Sequence, residues 1–508
     1  MLKRFIDCRR GTYAIATAVL CPVLITALGF AVDLATLTGA RSKLHETLDG
    51  ATLAASRLKD SDSGRETVFK AFLEAHLADD PIIKSYASAL SVEKGLNFIE
   101  TTGKLTAQVR LHFMPTFGVL DEGLQVSSTA HEATDNLEVA MVLDNTGSMG
   151  AEGMKNLREA ARTMTEILEE AGGRRPIKAA LVPFVTAVNV KGKGYKASWI
   201  DLDGKAPLNG VNFEPKTHHM ALFNKFKTAW GVEWKGCVEA RPASHNLDDT
   251  SPDIAVPASL FVPYLAPDNP GSAAQSPNSG TAWNNSWLKD SASDKAAQRK
   301  VDRYLSSSTA RFIEEGHRTR TTGPNYACPT PIEPLTDDWK GLKAAIASMI
   351  HWEGSGTNVS EGLAWGMRVL SPQEPYTQGA PFNNASTAKA VVVFTDGENN
   401  VFGASSQGFN TSDYGAYGFL DEGRTGTTHR ATALGNVNKW TQTMCTRLKN
   451  EGVQVFTVLL GADTPANRDL YSKCASTPEQ YYPTKDMTQL RPIFEKIARR
   501  VAKLHVKK

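Results

Sequence analysis

The sequence predicts an α/β fold for most of the chain, with a mainly parallel sheet covered by helices on both faces. The main support is an alternation of short apolar strands with longer helices from Leu137 onward. The predicted strands are Leu137 to Leu143, Ile177 to Phe184, Ala390 to Phe394 and Val453 to Leu460. The predicted helices include Met154 to Leu168 and Met487 to Leu504, each with one apolar face. A long uncharged stretch and a strand-rich stretch precede this region, so several structural parts are expected.

The uncharged stretch is Thr12 to Val32, which contains 21 residues and predicts a transmembrane helix. Basic residues precede it, whereas Asp33 follows it and no basic residue occurs before Arg41. This asymmetry predicts a cytoplasmic tail at residues 1–11 and an exported chain beyond the span. A cleaved secretory signal is the alternative, but the apolar run is long and no clear cleavage site precedes the next helix.

The apolar pattern continues beyond the span at close to a helical period, which predicts a helical stalk over residues 33–58. A membrane anchor with a stalk and a pilin-like stem fit this pattern equally well. Residues 59–135 are predicted to form a small β-rich or α+β module, because Leu105 to Phe113 and Leu124 to Ser128 alternate as strands do.

The α/β region is predicted to cover residues 136–508 and to carry a loop-rich insertion at about 189–335. Within it, Asp268 to Ser286 has the composition of an exposed loop. A second Gly/Ser/Thr-rich stretch, Phe402 to Thr427, follows a strand and is a candidate lid. The tryptophans of the insertion predict a local core under the loops, namely Trp199, Trp230, Trp234, Trp283 and Trp287. His218 and His219 lack a metal-binding frame and are interpreted as surface residues.

Charge and cysteine content narrow the functional classes. The net charge is +2, from 56 basic and 54 acidic residues. This composition gives no broad positive electrostatic potential that would attract nucleic acid. Beyond the span lie four cysteines, Cys237, Cys328, Cys445 and Cys474. An even number in an oxidising compartment favours two disulfides, for which three connectivities exist. A zinc site is the weaker interpretation because no CxxC pair is present.

The segment that carries chemistry is Val142 to Met149, in which Asp144, Thr146 and Ser148 follow an apolar strand at alternate positions. Much later, Thr357 opens a helix and Asp396 ends another strand. Taken alone, Asp144 to Gly147 could be a polar turn and Ser148 the N-cap of a helix, because Asp, Asn, Gly and Ser are common in both. Together they offer only hard oxygen ligands, which Mg²⁺ prefers, at the sheet edge where α/β proteins bind ligands.

In this order the five residues resemble the metal-ion-dependent adhesion site of von Willebrand factor A (VWA) domains, which are Rossmann-like. The pattern there is Asp-x-Ser-x-Ser, then a distant Thr and a distant Asp, and Thr146 replaces a Ser while keeping the hydroxyl. The resemblance implies that Asp144, Thr146, Ser148, Thr357 and Asp396 bind Mg²⁺ or Mn²⁺. It also implies a protein partner whose acidic side chain completes the coordination shell.

The N-terminus resembles the TadE/TadG-type membrane segment in Arg9 to Pro22, Gly29 to Asp33 and Ala40 to Leu44. Trp234 to Arg241, Gly323 to Pro329 and Gly362 to Ser371 resemble segments of TadG proteins of Flp (tight-adherence) pili. This resemblance implies pilus assembly or anchoring and adhesion, with a single-pass inner-membrane anchor and a periplasmic C-terminal domain. Ala16 occupies the place of the Glu that prepilin cleavage usually needs, so an uncleaved anchor is expected.

A structural minor pilin is the alternative function, and a metal-dependent hydrolase is a weaker one. We expect no enzyme, because no general base or nucleophile accompanies the five residues. For the disulfides we expect Cys237 paired with Cys328, which would staple the insertion. Cys445 paired with Cys474 would tie the helices on either side of the strand from Val453 to Leu460.

Overall fold

A computed structural model describes most of the chain, which divides into two compact units, Met1–Ala133 and Thr134–Lys508. The described residues are 12–58, 62–94, 98–118, 122–133, 136–173, 176–269, 285–288, 292–306, 322–353, 356–384, 386–403, 409–461 and 463–502. The predicted cytoplasmic tail, the middle of the predicted loop with Trp283, and the end of the last predicted helix at Leu504 lie outside these ranges.

The first unit combines two helices with an antiparallel sheet. The helices are α1 (Thr12–Arg57) and α2 (Asp62–Leu77). The strands are β1 (Ile83–Lys94), β2 (Phe98–Val109) and β3 (Glu122–Ala133), in the order β1-β2-β3. The second half of α1 buries Leu44, Leu48 and Ala51 against Leu105 of β2 and Val126 of β3. The stretch predicted as a stalk therefore belongs to the core of the small module.

The first half of α1 is mostly exposed, and Gly29 and Asp33 near its end are its buried residues. Its large apolar side chains are exposed from Val19 to Leu34, apart from a few small or half-buried positions, and Pro22 does not interrupt the helix. Among the described helices it alone is long and apolar enough to cross a membrane. The helix thus changes from a lipid-compatible surface to a packed face along its length.

The second unit is built on a mixed sheet. Its strands are β4 (Asn136–Asp144), β5 (Ile177–Phe184), β6 (Val188–Asn189), β7 (Cys237–Val238), β8 (Glu333–Thr336), β9 (Thr387–Thr395), β10 (Gln454–Leu460) and β11 (Tyr481–Thr484). Strands β11, β10, β9, β4 and β5 are parallel neighbours in that order. β8 pairs antiparallel with β5, and β6 and β7 extend the edge.

Helices cover both faces of this sheet. They are α3 (Gly150–Gly172), α4 (His219–Trp230), α5 (Lys295–Arg299), α6 (Val301–Leu305), α7 (Trp339–Ser348), α8 (Val359–Leu370), α9 (Arg430–Asn450), α10 (Pro465–Cys474) and α11 (Leu490–Ala502). α3 contacts α7 and α11, whereas α9 contacts α8 and α10. The β8-β5-β4-β9-β10-β11 order is the doubly wound arrangement, with its switch point between β4 and β9. The predicted α/β fold is confirmed.

The insertion, between β5 and β8, is more compact than its composition suggests. Trp199, Trp234 and Trp287 are buried in a core shared with the sheet, as predicted. Asp268 and Asn285, at the ends of the predicted exposed loop, are also buried, so that prediction is wrong for the described ends. Asp268 is buried because its carboxylate accepts hydrogen bonds from the backbone N–H groups of Trp287 and Leu288 at 2.6 and 2.9 Å.

Two further expectations about loops are wrong. His219 is a buried residue rather than a surface residue, because its Nδ1 bonds the carbonyl of Pro263 at 2.7 Å. The described part of the candidate lid is packed rather than open. Its apolar residues are buried in one cluster with the insertion, namely Phe402, Tyr414, Ala416, Tyr417, Phe419 and Leu420. These hydrophobic residues, although scattered in a Gly/Ser/Thr-rich stretch, could have predicted that the segment is packed.

The two disulfides are the expected pairs. Cys237 is bonded to Cys328 with Cα atoms 5.7 Å apart, and Cys445 to Cys474 with Cα atoms 5.0 Å apart. The first joins β7 to the chain that returns to β8, and the second joins α9 to α10.

A buried ionic cluster links the insertion to the segment after β9. Arg424 Nη1 donates to Glu239 Oε2 at 2.6 Å, and its Nε donates to Glu422 Oε2 at 2.8 Å. The Tyr414 hydroxyl donates to the other oxygen of Glu239, and Asn212 Nδ2 donates to Glu422 at 3.0 Å. Burial lowers the pKa of Arg424, but the Glu422 and Glu239 carboxylates outweigh it and raise that pKa overall. We name these residues the insertion ion cluster.

Candidate functional site

The switch point of the sheet brings together two strand ends that carry carboxylates. β4 ends at Asp144, and β9 ends at Thr395, directly before Asp396. The strands are parallel neighbours, with Leu143 opposite Phe394. Because carboxyl ends of parallel strands share one edge, Asp144 and Asp396 come to the same edge although 252 positions separate their numbers in the chain.

Four of the five predicted residues form one hydrogen-bonded chain. Asp144 Oδ1 accepts from Thr146 twice, from its N–H at 2.9 Å and its hydroxyl at 2.7 Å. The hydroxyls of Thr146 and Ser148 are 3.0 Å apart, and Ser148 Oγ donates to Asp396 Oδ1 at 3.0 Å. The two carboxylates and two hydroxyls are therefore within reach of a common ligand. We call them, with Thr357, the sheet-edge site.

Thr357 is held through its backbone by Asn400, four residues after Asp396. Its N–H donates to the Asn400 carbonyl at 3.1 Å and its carbonyl accepts from the Asn400 N–H at 2.8 Å. Gly356 has a φ of +84°, and a Cβ there would lie 1.8 Å from the Asn400 carbonyl, so only glycine fits. Among the described residues, no hydrogen bond joins the Thr357 side chain to the other four. The structure thus brings the Thr357 loop against the loop that follows Asp396.

The site contains negative charge without a positive partner. Burial raises the pKa of Asp144. Burial and the neighbouring Asp144 carboxylate raise the pKa of Asp396 to about 7. Among the described residues, no Lys, Arg or His lowers the pKa of either carboxylate or pairs with it. Two carboxylates and hydroxyl oxygens without a counter-charge fit a hard divalent cation.

The geometry also leaves the site accessible. Asp144 and Thr146 are buried, Asp396 is half-buried and Ser148 is exposed, so the site opens on the Ser148 side. In the described residues, with the sheet-edge site included, no cluster of three or more His, Cys, Asp or Glu side chains is arranged to hold a metal. A cation at the sheet edge would therefore depend on hydroxyls as well as carboxylates.

Sequence reasoning missed three residues around the site. Thr395 donates its hydroxyl to Asp144 Oδ2 at 2.8 Å, so both carboxylate oxygens are oriented. Tyr471 donates to the Gly397 carbonyl at 3.1 Å and fixes the turn after Asp396. Asn145 is fully buried, and neither atom of its side-chain amide has a partner in the described part of the chain. Thr395 could have been predicted from the sequence, because it directly precedes Asp396. Tyr471 lies on α10, and nothing in the sequence near it indicates a contact with the site.

The strand order and the position of these residues agree with the α/β fold expected from the resemblance to VWA domains, on a chain with an N-terminal apolar helix. Residues 11–57 match the family model described as "Putative Flp pilus-assembly TadE/G-like". The N-terminal match associates the chain with pilus assembly and, with the apolar helix, indicates single-pass membrane anchoring. No curated protein matches the sequence.

Among solved structures, the pilus adhesin SpaC from Lactobacillus rhamnosus GG is similar at 10% identity and a TM-score of 0.33, covering 82% of this chain. The vWF domain of the type V pili tip protein Mfa5 from Porphyromonas gingivalis matches at 9% identity and a TM-score of 0.33, covering 74% of this chain and 98% of that domain. Proximal thread matrix protein 1 from the mussel byssus, with a zinc-occupied MIDAS motif, matches at 11% identity and a TM-score of 0.31, covering 73% of this chain. The chain spans 34% of SpaC and 48% of the mussel protein.

Proposed function

We propose that the chain is a membrane-anchored VWA protein that acts in Flp/Tad pilus assembly or anchoring and in adhesion. Its sheet-edge site, Asp144, Thr146, Ser148, Thr357 and Asp396, would bind Mg²⁺ or Mn²⁺ and, through it, an acidic side chain of a protein partner. The observation that carries the proposal is the hydrogen-bonded chain from Asp144 through Thr146 and Ser148 to Asp396 at the switch point.

Each residue has a distinct part in this proposal. The Thr146 and Ser148 hydroxyls and the Thr357 hydroxyl offer neutral ligands, so the bound ion keeps positive charge for a partner carboxylate. Asp144 is fixed through both oxygens by Thr146 and Thr395, and it supplies charge from inside the domain. Asp396 and Ser148 lie toward solvent, where a partner can approach. The chain's own residues thus orient the site and leave one side free.

The proposed location is the bacterial inner membrane, with the N-terminus in the cytoplasm and everything beyond Asp33 in the periplasm. The basic flank before Thr12 supports this orientation. The two disulfides of the second unit fit an oxidising compartment. A periplasm-dependent phosphatase fused after Lys508 should be active, and activity of a cytoplasm-dependent reporter at that position would reverse the orientation.

A structural minor pilin is the second candidate, because α1 is one uninterrupted helix with an apolar first half and a packed second half. Co-purification of the chain with sheared pili would favour it. Retention in the membrane fraction would favour the anchored assembly protein. A metal-dependent hydrolase remains the weaker alternative.

The functional test compares Asp144→Ala with a matched surface variant in cells. Asp469 is exposed and pairs only with Lys473 four residues on, so Asp469→Ala controls for the loss of a carboxylate. We expect Asp144→Ala to reduce pilus assembly or adhesion at unchanged protein level, and Asp469→Ala to behave as wild type. Equal phenotypes for the two variants would contradict a role of the sheet-edge site in that function.

A further inference from the structure

A short loop of the first unit contacts α1 at the level where the apolar span ends. The described part of this loop, residues 111–118 between β2 and β3, is called the aromatic loop here. Asp33, the first charged residue after the span, is fully buried beneath it. Its Oδ1 accepts from the His112 N–H at 2.9 Å, and its Oδ2 accepts from Phe113 and Met114 N–H groups at 2.8 and 2.6 Å. Three backbone donors thus fix the loop to the helix.

The aromatic side chains of the loop lie nearer the membrane than Asp33 does. Phe113 packs on Gly29, where a Cβ would lie 2.7 Å from the ring, so only glycine allows this approach. The rings of Phe117 and Phe30 have centroids 5.5 Å apart. Gly29 and Phe30 belong to the span, and one helical turn corresponds to about 5.4 Å along its axis. The two loop aromatics are therefore level with the last turn of the span.

The same aromatics are incompletely covered by protein. Phe113 is 41% exposed and Phe117 is 56% exposed, beside a helix surface whose leucines and valines are also exposed. The uncharged run between Arg10 and Asp33 is about as long as the hydrocarbon layer, so the span has little room to slide away from the loop. Trp and Tyr are enriched at the membrane interface, and Phe lies with Trp and Leu on the apolar face of helices buried at the headgroup–acyl boundary.

We propose that the aromatic loop enters the membrane interface beside α1, with Phe113 and Phe117 as lipid-contacting side chains. Asp33 is the positioning residue, because it ends the span and holds the loop at that level. The occupant of this surface is the boundary between lipid headgroups and acyl chains, on the side of the membrane where the folded units lie. The small module is then held to the bilayer at two points, which restricts its tilt. This inference rests on the membrane anchoring in the proposed function.

The test measures the depth of spin labels on the full chain in lipid nanodiscs, with Cys8 and Cys21 replaced by Ser. Labels are placed by Phe117→Cys in the loop, Leu24→Cys in the span and Ser127→Cys on the exposed surface of β3. Collisions with oxygen, which concentrates in lipid, are compared with collisions with a water-soluble nickel chelate. We expect an oxygen-to-nickel ratio several-fold higher at positions 24 and 117 than at position 127. Adding Asp33→Ala should lower the ratio at 117 and leave position 24 unchanged.

Three results would overturn the proposal, and they are distinguishable. A water-like ratio at 117 with a lipid-like ratio at 24 rejects the loop contact and leaves the anchor intact. Shielding of position 117 from both reagents assigns the aromatics to a protein contact, such as a second copy. A water-like ratio at 24 rejects the membrane anchor itself, and the loop proposal with it.

Discussion

Two acidic clusters in the second unit differ in how their charge is balanced. In the insertion ion cluster, Glu239 and Glu422 share one guanidinium, that of Arg424. In the sheet-edge site, Asp144 and Asp396 are linked only through hydroxyls, and no cation of the described residues pairs with them. Both clusters are held by strong hydrogen bonds, so hydrogen bonding does not distinguish them. Charge balance does: the insertion ion cluster is compensated within the fold, whereas under the proposed function the sheet-edge site is compensated by a bound cation.

The insertion ion cluster should show the largest effect on stability. Arg424→Met leaves two buried carboxylates without their cation, so the free energy of unfolding should fall by about 3 to 5 kcal/mol. The control is Arg499→Met, which breaks an exposed pair with Glu495 four residues earlier and should cost less than about 1 kcal/mol. Denaturant unfolding of the Thr134–Lys508 unit measures both. Similar losses for the two variants would remove the stabilising role of the cluster.

The sheet-edge site should affect stability mainly when metal is present. At a hundredfold excess of metal over its Kd, binding stabilises the folded state by about 2.7 kcal/mol. Asp144→Ala should abolish this gain, whereas Thr146→Ser should keep most of it because the hydroxyl remains. The measurement is thermal unfolding of the second unit with excess magnesium or manganese and with a chelator. A metal-dependent shift of equal size in Asp144→Ala would assign the metal to another place.

Beside the insertion ion cluster, His219 should make stability depend on pH. The pKa of His219 is lowered from 6.5 to about 4, chiefly by burial. The hydrogen bond to the Pro263 carbonyl and Glu422 oppose this shift, whereas Arg424 and His218 contribute to it. Glu239 also faces it, with its Oε1 3.6 Å from Nδ1. Between pH 6.5 and pH 4, the His219 imidazole takes up a proton in the unfolded state but not in the folded state. Stability from this residue is therefore complete above pH 6.5 and is lost as the pH falls toward 4.

His219→Asn keeps a hydrogen-bond donor for the Pro263 carbonyl but does not titrate. Relative to this variant, the wild type should lose about 2 kcal/mol of unfolding free energy between pH 6.5 and pH 5. Unfolding curves at several pH values give this difference directly. A constant difference between the two proteins across the window would show that the pKa of His219 is the same in the folded and unfolded states.

Removing charge from the sheet-edge site without metal should have the smallest effect and the opposite sign. Asp396→Asn keeps an acceptor for Ser148 and removes the repulsion with Asp144. With a chelator present, its unfolding free energy should change by less than about 1 kcal/mol, in the stabilising direction. A loss comparable with that of Arg424→Met would mean that the sheet-edge carboxylates stabilise the fold, and the contrast between the clusters would disappear.

The sequence predicted the elements that follow from the spacing of apolar residues and from the order of strands and helices along the chain. The apolar strands before Asp144 and Asp396 are continuous runs, so the parallel sheet and the edge carrying both residues followed from them. The insertion could not be read this way, because its core is made by residues from distant loops. Glu239 and Arg424 are 185 positions apart, and nothing local marks them as a pair. His219 was misread for the same reason, since its partner is the Pro263 carbonyl.

The packing of the candidate lid, Phe402 to Thr427, could not be predicted from its Gly/Ser/Thr-rich composition. Its glycines and serines suggested an exposed loop, but Tyr414, Tyr417 and Phe419 are spaced so that they reach the insertion. The stalk was separated from the small module in the prediction because its helical period gave no indication of what Leu44 and Leu48 contact. The spacing of apolar residues identifies which face of a helix or strand is buried. It does not identify the element that this face packs against, because that depends on the tertiary fold.

The central claim is that the sheet-edge site is a metal site whose charge is completed from outside the fold. Calorimetric titration of magnesium or manganese into the Thr134–Lys508 unit tests it most directly. We predict one binding event in the wild type that is lost in Asp144→Ala and unchanged in Asp469→Ala. Absence of binding in the wild type, or equal binding in Asp144→Ala, would contradict the claim and leave an α/β scaffold with a polar turn at its edge.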